Sequence, residues 1–198
     1  MVKTAYYFVV CKELPIAGLS APDDCLGAKE NKDMNLKFAQ FRKQLLSPLK
    51  FRLFMFQRLP AALFAGLRIK ALEEEQAIVT VPYKWFNQNP FRSMYFAIQS
   101  MAAEMSTGLL ASGQVYQRNP AVSMLVVGLE AKFFKKAVDT ISFTCVDGLA
   151  IAGVVEEAIH TGEGKTITCK SVGTNIAGEV VSEFLITWSF KAKAIPAP

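Results

Sequence analysis

Asn87–Ala111, NQNPFRSMYFAIQSMAAEMSTGLLA, is an Asn/Pro loop that runs into a long apolar segment whose only charge is Glu104. Met94, Ile98, Met101, Met105 and Leu109 recur in it at intervals of 4, 3, 4 and 4, one stripe of a 3.6-residue helical period. A second stripe, Ala97, Ser100, Glu104, Thr107, Gly108 and Ala111, shares another face at about 100° per residue. All of its members except Glu104 are small. A small-residue face lets a sheet or another backbone approach closely, and a carboxylate set into it is costly to bury unless it is paired, solvated or used. Ser93, preceded by Arg92, is placed to cap the helix start.

Working outward, the N-terminal side reads as two strands behind a helical cover. Leu67–Leu72 and Gln76–Tyr83 flank the acidic triplet Glu73–Glu75, a solvated hairpin tip, and the second run alternates Ala77, Val79, Val81 and Tyr83 against Ile78, Thr80 and Pro82. Upstream, Asn35–Leu46 has a broadly helical apolar pattern. Pro48 opens a second helix through about Arg58, and Pro60 begins a short apolar piece, Ala61–Ala65. Residues 1–33 read as an extension: Ala5–Cys11 is too short and too quickly followed by Lys12 and Glu13 for a signal peptide, and Met34 is a plausible true start.

On the C-terminal side, Val122–Phe134 is expected as a long strand with Leu125, Val127, Leu129, Ala131 and Phe133 on one face. Thr140–Val146 alternates as a strand, and Asp147 is placed to cap a helix over Gly148–His160, closed by the glycines that follow. Two last strands, Lys165–Gly173 and Glu179–Lys191, meet around Asn175–Gly178, with Phe184, Ile186, Trp188 and Phe190 on one face by period-2 alternation. The order is therefore helices, a strand pair, a long helix and about four strands. It predicts an α+β fold in which an antiparallel sheet of some six strands curves around a central helix.

Composition narrows the function. A chain of 198 residues makes one domain with an extra terminal segment. Its 52% apolar content and mean hydropathy of +0.25 are high for a soluble monomer, yet no window offers the ~18–20 apolar residues of a membrane span. A second buried surface, such as a homodimer interface, is the preferred reading. The net charge of +5 is mild. Lys37, Arg42, Lys43, Lys50, Arg52 and Arg58, interleaved with phenylalanines, suit either snorkelling on a core-facing helix or peripheral membrane contact through residues 35–58. No nucleic-acid signature accompanies them. The cysteines, Cys11, Cys25, Cys145 and Cys169, form no CxxC pair, and the single histidine, His160, argues against a His/Cys metal site. Cys145 and Cys169 read as buried thiols, and His160 as the end of a helix.

A strand pair, an Asn-containing loop, a long helix with an acid midway and a run of strands resembles the hot-dog fold, and more narrowly the acyl-CoA thioesterases of the phenylacetyl-CoA thioesterase type and an uncharacterised branch of hot-dog domains. The likeness spans roughly Leu59–Lys191, which sets the expected division: an extension at 1–33, an amphipathic cover at 34–58, a hot-dog domain at 59–192 and a tail at 193–198. Asn89 and Glu104 stand 15 positions apart, at the spacing the family pattern expects. Arg92 lies where a glycine is common, and Phe96-Ala97 replaces a Gly-Gly pair. The resemblance implies a cytoplasmic homodimer or dimer of dimers with clefts shared between protomers. It also implies a coenzyme A thioester as substrate, with no cofactor and no metal.

The chemistry this implies can be argued physically. Thioester hydrolysis builds negative charge on the carbonyl oxygen. Backbone N–H groups at a helix start, near Tyr95, Phe96 and Ala97, can hold that charge with help from the helix dipole. Glu104 would activate water or attack directly, Asn89 would position water or substrate, and Thr107 would assist one turn on. Each role has a plainer rival: an ion pair for Glu104, an Asx turn for Asn89, open solvent for Arg92 rather than a phosphate. Lys132, Lys135 and Lys136 fit a solvated strand end better than the phosphates of coenzyme A. A hot-dog dehydratase is disfavoured, because that design pairs His with an acid and this helix has no His. The alternative to an enzyme is a non-catalytic hot-dog module that binds acyl ligands or a protein.

Overall fold

The computed structural model describes residues 35–193. The extension at 1–33, with Cys11, Cys25 and the apolar run Ala5–Cys11, and the tail beyond Lys193 lie outside the described residues. In chain order the elements are α1 (Phe38–Leu45), α2 (Pro48–Arg58), α3 (Pro60–Ala65), β1 (Arg68–Leu72), β2 (Ala77–Val81), a 3-10 turn (Trp85–Asn87), α4 (Phe96–Val115), β3 (Val122–Phe133), β4 (Ile141–Cys145), α5 (Gly148–Thr161), β5 (Lys165–Thr174) and β6 (Val180–Ala192). All six strands form one sheet in the order β1-β2-β4-β5-β6-β3, and every neighbouring pair is antiparallel. The expected α+β architecture, a six-stranded sheet around a long central helix, is the one found.

α4 is the axle of the molecule. Its buried side chains meet a sheet face built from residues such as Val79, Phe143, Phe184, Ile186 and Trp188, all fully buried. Apolar contact supplies most of the adhesion, and buried polar contacts help set its register. Ser106 and Ser171 share a hydroxyl hydrogen bond of 2.8 Å, and the Ser182 hydroxyl donates to Gln99 Oε1 at 3.0 Å. Such pairs add little net energy but leave costly orphans if α4 slides. At the far end, the buried Asn35 amide donates to the carbonyls of Gly113, Gln114 and Tyr116 at 2.9, 3.3 and 2.7 Å, closing the open end of the helix with a side chain from the cover. Phe38 of α1 then lies directly on Gly113, where an added Cβ would come within 2.3 Å of the ring.

Four local expectations are corrected. α4 begins at Phe96 with Tyr95 in the cap position and no side-chain cap. Ser93 is instead buried and tied to Asn89, because the loop takes its hydroxyl before the helix can. Asp147 does sit before α5 without capping it: its carboxylate accepts the Lys170 backbone N–H at 2.7 Å. The five apolar residues of β3 do not share a face. Leu125 pairs with Ser189, but a bulge between Val126 and Gly128 shifts the parity, so Leu129, Ala131 and Phe133 stand opposite Ile186, Phe184 and Ser182. An extra residue reverses the alternation beyond it. Helix α1 is also shorter than Asn35–Leu46, because Asn35 is engaged with α4.

Candidate active site

Three segments converge at the start of α4. The Asn87 carbonyl accepts the Tyr95 N–H at 2.8 Å, and the Met94 N–H donates to the Ala137 carbonyl at 2.8 Å. Asn87 itself is fully buried. Its amide donates to the carbonyls of Ala65 and Pro82 at 2.8 and 2.7 Å, while its Oδ1 has no partner among the described residues. Between these anchors the loop turns on itself, with Arg92 in the left-handed region at φ 59°, a conformation that favours glycine and costs other residues about 1 kcal/mol or more.

The first helical amides follow. Ile98 and Gln99 N–H both reach the Tyr95 carbonyl, and among the described residues no acceptor meets the N–H of Phe96 or Ala97. Two unpaired donors at the positive end of a 20-residue helix make a place for developing negative charge. The ring of Phe96 packs edge-on against Tyr95, centroids 4.8 Å apart. Lys136 Nζ lies 3.4 Å from the Phe91 carbonyl, next to Arg92.

Ala97, Ser100, Met101 and Glu104 are the partly exposed residues that run along α4 from this point. Glu104 lies on nearly the same face as Ala97, seven residues on, which is about 10 Å of helix rise. Its carboxylate is directed along the helix toward Gly108, one turn away from the helix start. The bare backbone of Gly108 makes room behind it: a Cβ there would sit 3.3 Å from Glu104 Oε1 and 3.3 Å from Trp188 Cζ2. The Trp188 indole N–H donates to Thr107 Oγ1 at 2.9 Å, and that hydroxyl donates to the Glu104 carbonyl at 3.0 Å. The backbone at Glu104 is thus braced through Thr107 to Trp188 of β6. On the same side of the sheet, Leu129 and Phe133 of β3 face the core yet remain about half exposed, at 47% and 48%. Leu129 and Phe133 thus leave an open apolar shelf along β3, on the sheet face that α4 occupies.

The sequence-predicted residues thus fall into three groups. Tyr95, Phe96 and Ala97 form the helix start as expected, with Glu104 on the same face. Thr107 is fully buried and turned toward β6. Asn89 lies in the loop, where its Oδ1 takes the N–H of Phe91 and of Ser93 at 3.0 and 3.2 Å, an Asx turn. Asn87 and Trp188 were not singled out as site residues. The Asn-x-Asn spacing was the available signal for Asn87, and nothing local marked Trp188 as a neighbour of the acid. Lys135 is paired with Glu179 at 2.6 Å, and His160 closes α5, its Nδ1 2.8 Å from the Glu156 carbonyl. Among the described residues no group of three or more His, Cys, Asp and Glu side chains is arranged to hold a metal.

The fold is shared with solved structures of low sequence identity. One is a protein of unknown function from Pseudomonas aeruginosa described as a probable thioesterase (21% identity, 74% of this chain and 97% of that chain, TM-score 0.63). A protein of unknown function from Chlorobaculum tepidum matches at 19% identity over 73% and 94% of the two chains, TM-score 0.63. A thioesterase from Haemophilus influenzae matches at 13% identity over 74% and 92%, TM-score 0.55. These likenesses establish the hot-dog fold. No curated protein sequence matches the chain. Over residues 49–190, which include the whole sheet up to Phe190 and the loop and helix that carry Glu104, the sequence matches the model of a domain of unknown function, and the chain belongs to that family, DUF4442.

Proposed function

We propose that the protein hydrolyses acyl-CoA thioesters with a fatty or aromatic acyl group. The observation that carries this reading is the placement of Glu104 on the uncovered stripe of α4, on the same face as the unpaired Ala97 amide and two turns from it. The thioester carbonyl oxygen accepts from the Phe96 and Ala97 N–H groups. Glu104 takes a proton from water, whose oxygen attacks the carbonyl carbon. The tetrahedral intermediate then collapses by breaking the carbon–sulfur bond, and the proton held by Glu104 passes to the departing sulfur, giving a carboxylic acid and the thiol and restoring the carboxylate. The interval of about 10 Å between the amides and the Glu104 position along the helix is spanned by the carbonyl, the water and a Glu104 side chain that swings from Gly108 toward the helix start. The acyl group lies on the apolar shelf, and Arg92 with Lys136 offers positive charge to the coenzyme A phosphates at the helix start. That the neighbours from P. aeruginosa and H. influenzae carry thioesterase descriptions supports the same chemistry.

Homodimerisation belongs to this proposal, since Leu129 and Phe133 need a cover and β3 has one edge unpaired among the described residues. The test is thiol release from a panel of short-chain, long-chain and aromatic acyl-CoA thioesters. Glu104→Gln keeps the shape and removes the base, and is expected to lower kcat by about 10²–10⁴. Undiminished turnover in that variant would exclude the catalytic role. Absence of turnover by the parent protein across the panel would favour a non-catalytic acyl-binding module, a reading that the bulk of Phe96 at the helix start already makes reasonable.

A further inference from the structure

The helical cover presents an outer face for which the fold itself has no use. α2 satisfies the core with Phe51 and Met55, yet Leu49, Leu53 and Phe56 remain 79%, 57% and 62% exposed. At spacings of 4 and 3 these three share one outward stripe. α3 adds Phe64, whose ring lies 6.4 Å from that of Phe86. Leu49, Leu53, Phe56 and Phe64, with Arg52 and Lys84, line one open trough of about 480 Å³, and Trp85 stands beside it almost fully exposed.

The charge on this face has one sign. Residues 34–72 contain no Asp or Glu. Lys50, Arg52, Arg58 and Lys84 enter no ion pair among the described residues. Snorkelling explains cations around a buried apolar stripe, but here large apolar side chains and cations point outward together. A second copy of the same face would bring like charges together, which disfavours self-association there.

We propose that this face docks on the surface of an anionic phospholipid bilayer. Leu49, Leu53, Phe56 and Phe64 enter the boundary between headgroups and acyl chains, Trp85 lies at headgroup level, and the cations meet the lipid phosphates. Among the described residues no helix is long and apolar enough to cross a membrane, so the contact lies in the interface plane. This inference does not depend on the hydrolase reading.

The test is co-sedimentation of the full chain with vesicles of phosphatidylcholine containing about 30% phosphatidylglycerol, against pure phosphatidylcholine vesicles and a vesicle-free control. Binding is expected on the anionic vesicles only and should weaken as salt is raised. The double variants Leu53→Ser/Phe56→Ser and Arg52→Glu/Lys84→Glu alter exposed side chains, so circular dichroism should report an unchanged fold. Each should weaken vesicle binding about tenfold or more. Equal binding to neutral vesicles, unchanged binding by both variants, or no sedimentation above the control overturns the proposal. So does a size-exclusion shift from dimer to monomer in the variants without vesicle binding in the parent, which would assign the face to a second copy.

Discussion

Gly108 decides how Glu104 and Trp188 share their space. A methyl there would meet Glu104 Oε1 and Trp188 Cζ2, each at 3.3 Å, and one of the two must move. Replacing a helical glycine by alanine ordinarily stabilises by about 1 kcal/mol, while crowding a packed site costs about 1–3 kcal/mol. The two effects largely offset. Gly108→Ala is therefore expected to change the urea midpoint little while lowering kcat/KM about tenfold to a hundredfold, since it displaces the acid rather than unfolding the helix. Parallel denaturation and kinetic measurements on one preparation check this, and unchanged kinetics would separate Glu104 from the chemistry. The types and spacing of Asn89 and Arg92 suit a site, but a side chain's free valence depends on its own turn, and the turn occupies the Asn89 carbonyl.

At the scale of elements, α4 is held at both ends by groups that do not belong to it. Asn35 closes its C-terminus with three donor contacts. Asn35→Ala would leave buried carbonyls unpaired and is expected to cost about 2 kcal/mol, read as a lower urea midpoint at unchanged slope. The middle strands are equally dry. Burial pushes the Cys145 thiol up to about 12, and burial together with the nearby Cys145 and Asp147 raises Cys169 as well. A thiol whose pKa is raised stays protonated below that value, so both should resist iodoacetamide at pH 8 in the native protein. Both should react once urea unfolds the chain. Peptide mass mapping distinguishes them from Cys11 and Cys25, and rapid native labelling of Cys145 would mean that β4 opens readily.

For the molecule as a whole, the uncovered side of β3 is the outstanding feature. The other strands are paired on both edges, apart from β1 at the opposite end of the sheet. Leu129 and Phe133 face the same side as the core without being covered. If a second protomer covers them, light scattering after size exclusion should report a dimer. Leu129→Lys with Phe133→Lys should then weaken it at least tenfold, taking about 1.4 kcal/mol as the minimum for such a pair at an interface, and should lower hydrolysis with it. A monomeric parent would instead leave the shelf open as a binding surface.

Much of this architecture follows from local pattern. The stripes of α4, the strict alternation of Phe184, Ile186, Trp188 and Phe190, the acidic tip at Glu73–Glu75 and the turn at Asn175–Gly178 were legible because a 3.6-residue period, a 2-residue period and a solvated turn are properties of neighbours in sequence. The candidacy of Glu104 was legible for a similar reason: an acid among small residues stands out without any structure. Other features depended on residues far apart in the chain. The bulge that turns Leu129 and Phe133 toward the core appears only in the pairing of β3 with β6. The burial of Asn87 comes from Ala65 and Pro82, and the brace behind Glu104 comes from Trp188. Periodicity assigns each side chain to a face, but only the packed chain determines what lies opposite it and whether its hydrogen-bonding groups remain free to react.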